Sequence, residues 1–188
     1  GFVLSEDFIK QLHESIILEP YEIQSFTKKG KPILKMVEIG KYKTAPNYFF
    51  GQNGKILDFA TPEETPEKMR ELLDWFALES RIPSVNPVVL ATEFHYRFVK
   101  ILPFDDANGR IIKFLTNLIL MQFGYPPIVI KKSEKNIYNF ALQQADKGQI
   151  EPLRDFFARC VISSLELYLK GAKGESIEDI DDLEKDLI

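Results

Sequence analysis

One cysteine, one tryptophan and two histidines are all that this chain of 188 residues holds of those types. With Cys160 alone, neither a disulfide framework nor a cysteine metal site can form within the chain. Its apolar helical surroundings make it a small core residue. No secretory leader pattern and no apolar run long enough to span a bilayer occurs, so no membrane partner and a cytoplasmic address are expected. Excess positive charge is also missing. The 24 Lys and Arg against 28 Asp and Glu leave a net charge of −4 and a pI near 5.4. That balance argues against general nucleic-acid binding by this domain alone. Internal repeats and low-complexity stretches are absent. What remains, 45 % hydrophobic and 28 % charged residues, is the composition of one sizeable globular domain.

The pattern along the chain is mostly helical. Ser5 caps a first helix whose apolar stripe is Phe8, Ile9, Leu12, Ile16 and Ile17, and Pro20 stops it. Residues 21–46 are mixed, with "KKGK" a turn and "PILKMVEI" a strand. Asn53-Gly54, between β-prone arms, predicts a hairpin, because a type I′ turn needs positive φ at both positions. Helices are expected from Thr65-Pro66, from Asn86-Pro87, over Gly109 to Phe123, over Ser133 to Asp146, and over Glu151 to Leu169 with a close near Gly171. The helix from Gly109 is apolar nearly all round and is expected to be the buried centre. Residues 1–174 read as one domain. Residues 175–188 read as an acidic tail with Ile177, Ile180, Leu183 and Leu187 on one helical face, possible lead-in to a further domain. The fold class expected is all-α with one β-hairpin.

Between two of these helices lies "ILPFDDANGR", residues 101–110. Asp106 or Asn108 can cap the following helix, and Gly109 permits a tight entry into it. The free N–H groups and positive dipole end of such a helix start form an anion site. Arg110 in the first turn opposes the dipole, which is poor helix design and sound phosphate recognition. Asp106 is a hard oxygen donor suited to Mg²⁺ held together with phosphate oxygens. A capped helix start with solvated charges accounts for the same residues equally well on physics alone.

The segment from Leu102 to Lys113 resembles the signature of the Fic domain family (Fido fold), His-Pro-Phe-x-Asp/Glu-Gly-Asn-Gly-Arg-x-x-Arg. The preceding "HYRFVKI", the upstream "GKYK" and "EKMRELLDWF" are similar to the family's run into it, and the likeness extends over about residues 5–170. The resemblance implies a helical Fic core and transfer of AMP from ATP to a protein hydroxyl. It implies that Asp106 coordinates Mg²⁺, and that Ala107, Asn108, Gly109, Arg110 and Lys113 stand at the nucleotide's phosphates. It also implies that the hairpin with Phe50, Gln52, Asn53 and Gly54 is a flap that pairs with an extended target segment. Nucleotide and target protein are thus the expected partners, with a homo-oligomer an open alternative.

Three positions depart from that signature. Leu102 occupies the place of the family's histidine base and has no proton acceptor; losing a positioned base costs about 10²–10⁴-fold. His95 lies roughly 10 Å back along the same expected helix, too far to share the role, and both it and His13 read as structural. Ala107 replaces a glycine and adds strain of about 1 kcal/mol if φ is positive there. Lys113 replaces an arginine and loses the planar bidentate grip. The expectation is a nucleotide-binding Fic protein impaired in catalysis. The alternatives are an AMP-transferring enzyme whose natural base is absent here, and a protein-interaction module.

Overall fold

The computed structural model of the protein describes residues 4–49, 56, 57 and 59–174. It is an all-α core with one described β-hairpin, and its residues divide into two compact units. The first unit comprises Gly1–Val85 with Arg97–Phe114, the second Asn86–Tyr96 with Leu115–Ile188. Among the described residues no helix is long and apolar enough to cross a membrane.

In the first unit, α1 (Glu6–Ile16) opens where Ser5 Oγ accepts the Phe8 N–H at 3.2 Å, and it buries Ile9 and His13. β1 (Tyr21–Phe26) and β2 (Pro32–Val37) follow as an antiparallel pair with Tyr21 opposite Val37 and Phe26 opposite Pro32. The turn between them closes on Thr27, whose backbone exchanges hydrogen bonds with Lys31 and Gly30. β2 was expected; β1 was not, although Tyr21, Ile23 and Ser25 alternate with Glu22, Gln24 and Phe26 at a strand's period of two. The hairpin turns Tyr21, Lys35 and Val37 inward, while Phe26, Leu34 and Met36 on its other face are exposed. The hairpin tip expected at Asn53-Gly54, with Phe50 and Gln52, lies outside the described residues. Its flanks are joined, for Leu57 N–H donates to the Phe49 carbonyl at 2.8 Å and the Phe49 and Phe59 rings meet edge to face.

α2 (Thr65–Glu79) begins as expected, but the cap lies one turn earlier: Thr61 and Glu64 bond each other's backbone N–H groups reciprocally. α3 (Pro87–Ile101) is capped by Asn86, whose Oδ1 accepts the N–H groups of Val88 and Val89. α4 (Asn108–Gln122) was expected, as a helix apolar nearly all round, to be the buried centre. It buries Ile111, Ile112, Leu115, Ile119 and Leu120, whereas Phe114 and Met121 are about half exposed, at 47 % and 55 %.

The second unit carries α5 (Lys135–Ala145), preceded by a 3₁₀ turn, and α6 (Glu151–Ala172) packed on it. Its core holds His95, Phe156, Phe157 and Cys160. Burial pushes the Cys160 thiol up to about 11, as an inert core thiol requires. α6 runs through Gly171, where an end was expected; Gly174, with φ +71°, closes it instead. A lone glycine weakens a helix without ending it, and the left-handed residue past the last turn decides the stop. The acidic tail lies outside the described residues.

One lysine links the first unit's elements to the loop after α3. Lys43 is buried, donates its Nζ to the Ile101 carbonyl at 2.8 Å, and donates its backbone N–H to the Pro103 carbonyl at 2.8 Å. Desolvation, with Lys35 close by, lowers its pKa from 10.5 to about 8. Above the unfolded value both states are neutral; between 10.5 and 8 the unfolded chain binds the proton more readily, so stability is lost as the pH falls through that window. The urea midpoint of the wild type relative to Lys43→Met should therefore rise between pH 8 and 10.5. A flat difference would show that Lys43 is not desolvated.

Candidate active site

The loop 102–107 hangs between the end of α3 and the start of α4, wholly within the first unit. Its centre is the Phe104 peptide. Phe104 N–H donates to Asn108 Oδ1 at 2.9 Å, and the Phe104 carbonyl accepts both Asn108 Nδ2 at 2.8 Å and Asn47 Nδ2 at 2.9 Å. The Phe104 ring is fully buried, stacked on His13 at 4.2 Å and tilted against Tyr42. The side-chain amide of Asn108 is thus engaged in holding the loop, which leaves its backbone N–H for a ligand.

The two neighbouring carboxylates face different environments. Asp105 is buried in an ion pair with Lys35 at 2.5 Å, and Lys35 also donates to the Ala45 carbonyl and to Asn47 Oδ1 at 2.9 Å each. That aspartate is a structural anchor. Asp106 is half-exposed and accepts a hydrogen bond from the Tyr21 hydroxyl at the head of β1. Burial, then Asp106, raises the Tyr21 pKa, so the phenol stays a donor. Asp105 and Asp106 both line a cavity of about 590 Å³ whose other walls are Ile23–Phe26 of β1 and Asn47, Tyr48 and Phe49.

α4 starts with an open end. Ile111 N–H takes the Ala107 carbonyl at 3.0 Å, and among the described residues the N–H groups of Asn108, Gly109 and Arg110 meet no acceptor. Gly109 needs neither positive φ nor close packing: a Cβ there would meet nothing within 4 Å. Its glycine has no reason in the fold, and the space it keeps clear stands before three unpaired donors. Arg110 and Lys113 are exposed on the same helix, with the Arg110 guanidinium near the Tyr21 hydroxyl.

Leu102 and Ala107 are the described non-glycine residues with positive φ, +49° and +61°. Such conformations cost roughly 1–2 kcal/mol per residue, and histidine and asparagine populate them several-fold more readily than most side chains. Leu102 therefore stands beside the loop in a backbone state that suits a histidine better than a leucine.

Neither histidine supplies a base here. His13 is buried, and its Nδ1 accepts the Gly40 N–H at 3.0 Å, so the proton of the neutral ring resides on Nε2, which faces the Asp106 backbone outside good hydrogen-bond geometry. Desolvation keeps its pKa below the usual 6.5. A side chain at Gly40 would be strained, since φ is +67° and its Cβ would displace the Glu14 side chain. His95, in the second unit, is held by Thr116 Oγ1 at 2.8 Å and Tyr138 Oη at 2.7 Å. Both are structural, as expected.

Comparison with known proteins shows the family of the chain. The profile of the Fic/DOC family matches residues 3–120, more than half of the chain. The chain belongs to the Fic/DOC family. It is similar to a protein adenylyltransferase Fic of Nematostella vectensis, 38 % identical over 57 % of this chain and 25 % of that protein. It is also similar to protein adenylyltransferase fic-1 of Caenorhabditis briggsae, 32 % identical over 74 % of this chain and 26 % of that protein. The chain thus spans about a quarter of the length of these curated relatives. Among solved structures it resembles a Fic-domain-containing signaling protein from Bacteroides thetaiotaomicron, with a TM-score of 0.81 and 36 % identity over 94 % of this chain and 66 % of that one. Fic-1 of C. elegans superposes with a TM-score of 0.68 at 25 % identity, over 93 % of this chain and 46 % of that one.

The sequence reading missed Tyr21, Lys35, Lys43 and Asn47, which hold or touch the Fic loop from the segment between α1 and α2. Only "GKYK" gave any signal there.

Gly109→Ala should raise stability by about 0.5 kcal/mol, since the helix loses its glycine penalty and nothing is crowded, while weakening binding of Mg·ATP, measured by calorimetric titration. Unchanged binding would remove the anion site. Ala107→Gly should gain up to about 1 kcal/mol in urea unfolding from relieved left-handed strain, offset in part by glycine's chain entropy; a loss would show that the Ala107 methyl packing matters more.

Proposed function

We propose that this Fic core, taken over residues 1–174, binds ATP with Mg²⁺ and is impaired in transferring AMP to a protein hydroxyl because Leu102 stands where a proton acceptor is needed. The observation that carries the reading is the succession, along the loop and the first turn of α4, of an apolar side chain at position 102, Asp106, an open helix start and Arg110.

The residues fit the group. Three backbone N–H groups and the Arg110 guanidinium would take phosphate oxygens. Among the described residues no cluster of three or more His, Cys, Asp and Glu side chains could hold a metal alone; Mg²⁺ is commonly held by one or two carboxylates plus substrate phosphates, and Asp106 is the carboxylate. Mg²⁺ bound there would neutralise phosphate charge as the leaving group departs. Lys113 adds a point charge to the same helix face. In the transfer itself the target hydroxyl oxygen bonds to the α-phosphorus, the bond from that phosphorus to pyrophosphate breaks, and the hydroxyl proton must be accepted. Leu102 offers no lone pair, Tyr21 is protonated, and His13 presents its N–H.

The cavity between β1 and the 47–49 arm is suited to an extended target segment entering beside Asp106. The likeness to protein adenylyltransferases supports the reaction class.

With labelled ATP and a permissive acceptor, Leu102→His should raise label transfer about 10²–10⁴-fold, and Arg110→Ala should abolish Mg·ATP binding in both backgrounds. Equal transfer by the Leu102 form would show that the base lies elsewhere. Binding unaffected by Arg110→Ala would leave the loop without its phosphate role and favour an interaction module.

A further inference from the structure

We propose that Tyr21 is a positioning residue for the divalent cation: its hydroxyl fixes the Asp106 carboxylate so that the other oxygen points at the ion. The inference rests on the reading of Asp106 as the metal ligand and adds a residue outside the signature loop.

Four observations carry it. First, the Tyr21 hydroxyl donates to Asp106 Oδ2, and among the described residues it is the one hydrogen-bond donor to that side chain. Aspartate is loose about its last torsion, so a single fixed donor sets the plane of the carboxylate. One O–H occupies one of roughly four acceptor positions and leaves Oδ1 open.

Second, the donor is neutral. Asp105 is neutralised by Lys35 at 2.5 Å, whereas Asp106 receives a phenol that keeps the full negative charge available. A lysine in place of Tyr21 would compete with a cation; a phenol orients the carboxylate without cancelling it. Third, the donor is itself held. Tyr21 pairs with the fully buried Val37 across the hairpin, directly after Pro20, so the phenol is delivered from a fixed strand end. Fourth, the cation partner that the hydroxyl does face, Arg110, belongs to the phosphate side of the site. The phenol is therefore near both the group proposed for metal and the group proposed for phosphate. Hydrogen-bonded partners of ligating groups commonly govern 10–100-fold in metal affinity.

The test measures free Mn²⁺ by electron paramagnetic resonance as it titrates the full chain with ATP, beside ATP binding in EDTA. Tyr21→Phe removes one oxygen and keeps the ring and the strand. It should weaken Mn²⁺ binding in the presence of ATP about 10–100-fold, change ATP binding in EDTA by less than that, and leave the thermal transition cooperative. Replacing Tyr21 by p-aminophenylalanine, whose N–H donors stand where the phenol O–H does, should restore Mn²⁺ affinity, which a merely packing role would not require. Unchanged or tighter Mn²⁺ binding in Tyr21→Phe overturns the proposal, as does failure of the amino analogue to restore it. Asp106→Asn separates the two layers. If it lowers Mn²⁺ affinity while Tyr21→Phe does not, the positioning role falls alone. If it has no effect, the metal reading of Asp106 falls and the proposal with it.

Discussion

The Phe104 peptide is held on both its polar atoms by asparagines from two distant parts of the chain, Asn47 and Asn108, with its ring between His13 and Tyr42. A buried peptide group left without partners costs about 1–3 kcal/mol, so the loop has one arrangement that satisfies its backbone and few near it in energy. Lys43 adds the Ile101 and Pro103 carbonyls on one side, and Lys35 adds Asp105 on the other. Between these fixed points the chain must turn through positive φ at Leu102 and Ala107 to enter α4. The position of the open helix start is thus a consequence of where two amides and two ammonium groups are anchored, all within the first unit.

Those anchors also divide labour among residues that look alike in one dimension. Asp105 and Asp106 are adjacent and chemically identical. Lys35 makes the first an internal strut, and Tyr21 leaves the second charged and half-exposed. The two histidines are separated from catalysis by the same logic. The backbone donor of Gly40 fixes which nitrogen of His13 is protonated, and the hydroxyl groups of Thr116 and Tyr138 take both nitrogens of His95. Identity of the side chain set what each could do; the partners set what each does.

Much of this was legible in the sequence. Ser5, Asn86 and the "ILPFDDANGR" loop announce themselves by local rules, because a cap, a turn or a helix start needs only its neighbours within four residues. The Fic signature adds a long, ordered motif, and the fold and family followed from it. What was not legible is the support of the loop. Tyr21 reaches Asp106 across 85 positions, Lys43 reaches Ile101 across 58, and Asn47 reaches Phe104 across 57. No periodicity reports such contacts. β1 was missed for a related reason: six residues of mixed polarity become a strand through their pairing with β2 rather than through propensity. The reach of α6 past Gly171 and the bare face of α4 at Phe114 and Met121 are likewise decisions of packing over local preference.

Among the described residues, the hydrogen bonds and ion pairs that hold the loop involve the backbone at 101, 103 and 104 and the side chains at 105, 106 and 108; none of these polar contacts involves the side chain of Leu102. Position 102 can therefore change its chemistry while the surrounding geometry persists. The cost is local: a left-handed leucine, roughly 1–2 kcal/mol, which a marginally stable domain tolerates when the rest of the loop over-determines its path. The same reasoning explains why the N–H groups of α4 remain aimed at open space with a leucine beside them. They are oriented by Asn108 and Phe104, so under the function proposed above the grip on phosphate and the movement of the proton would rest on different atoms, and one could be lost without the other.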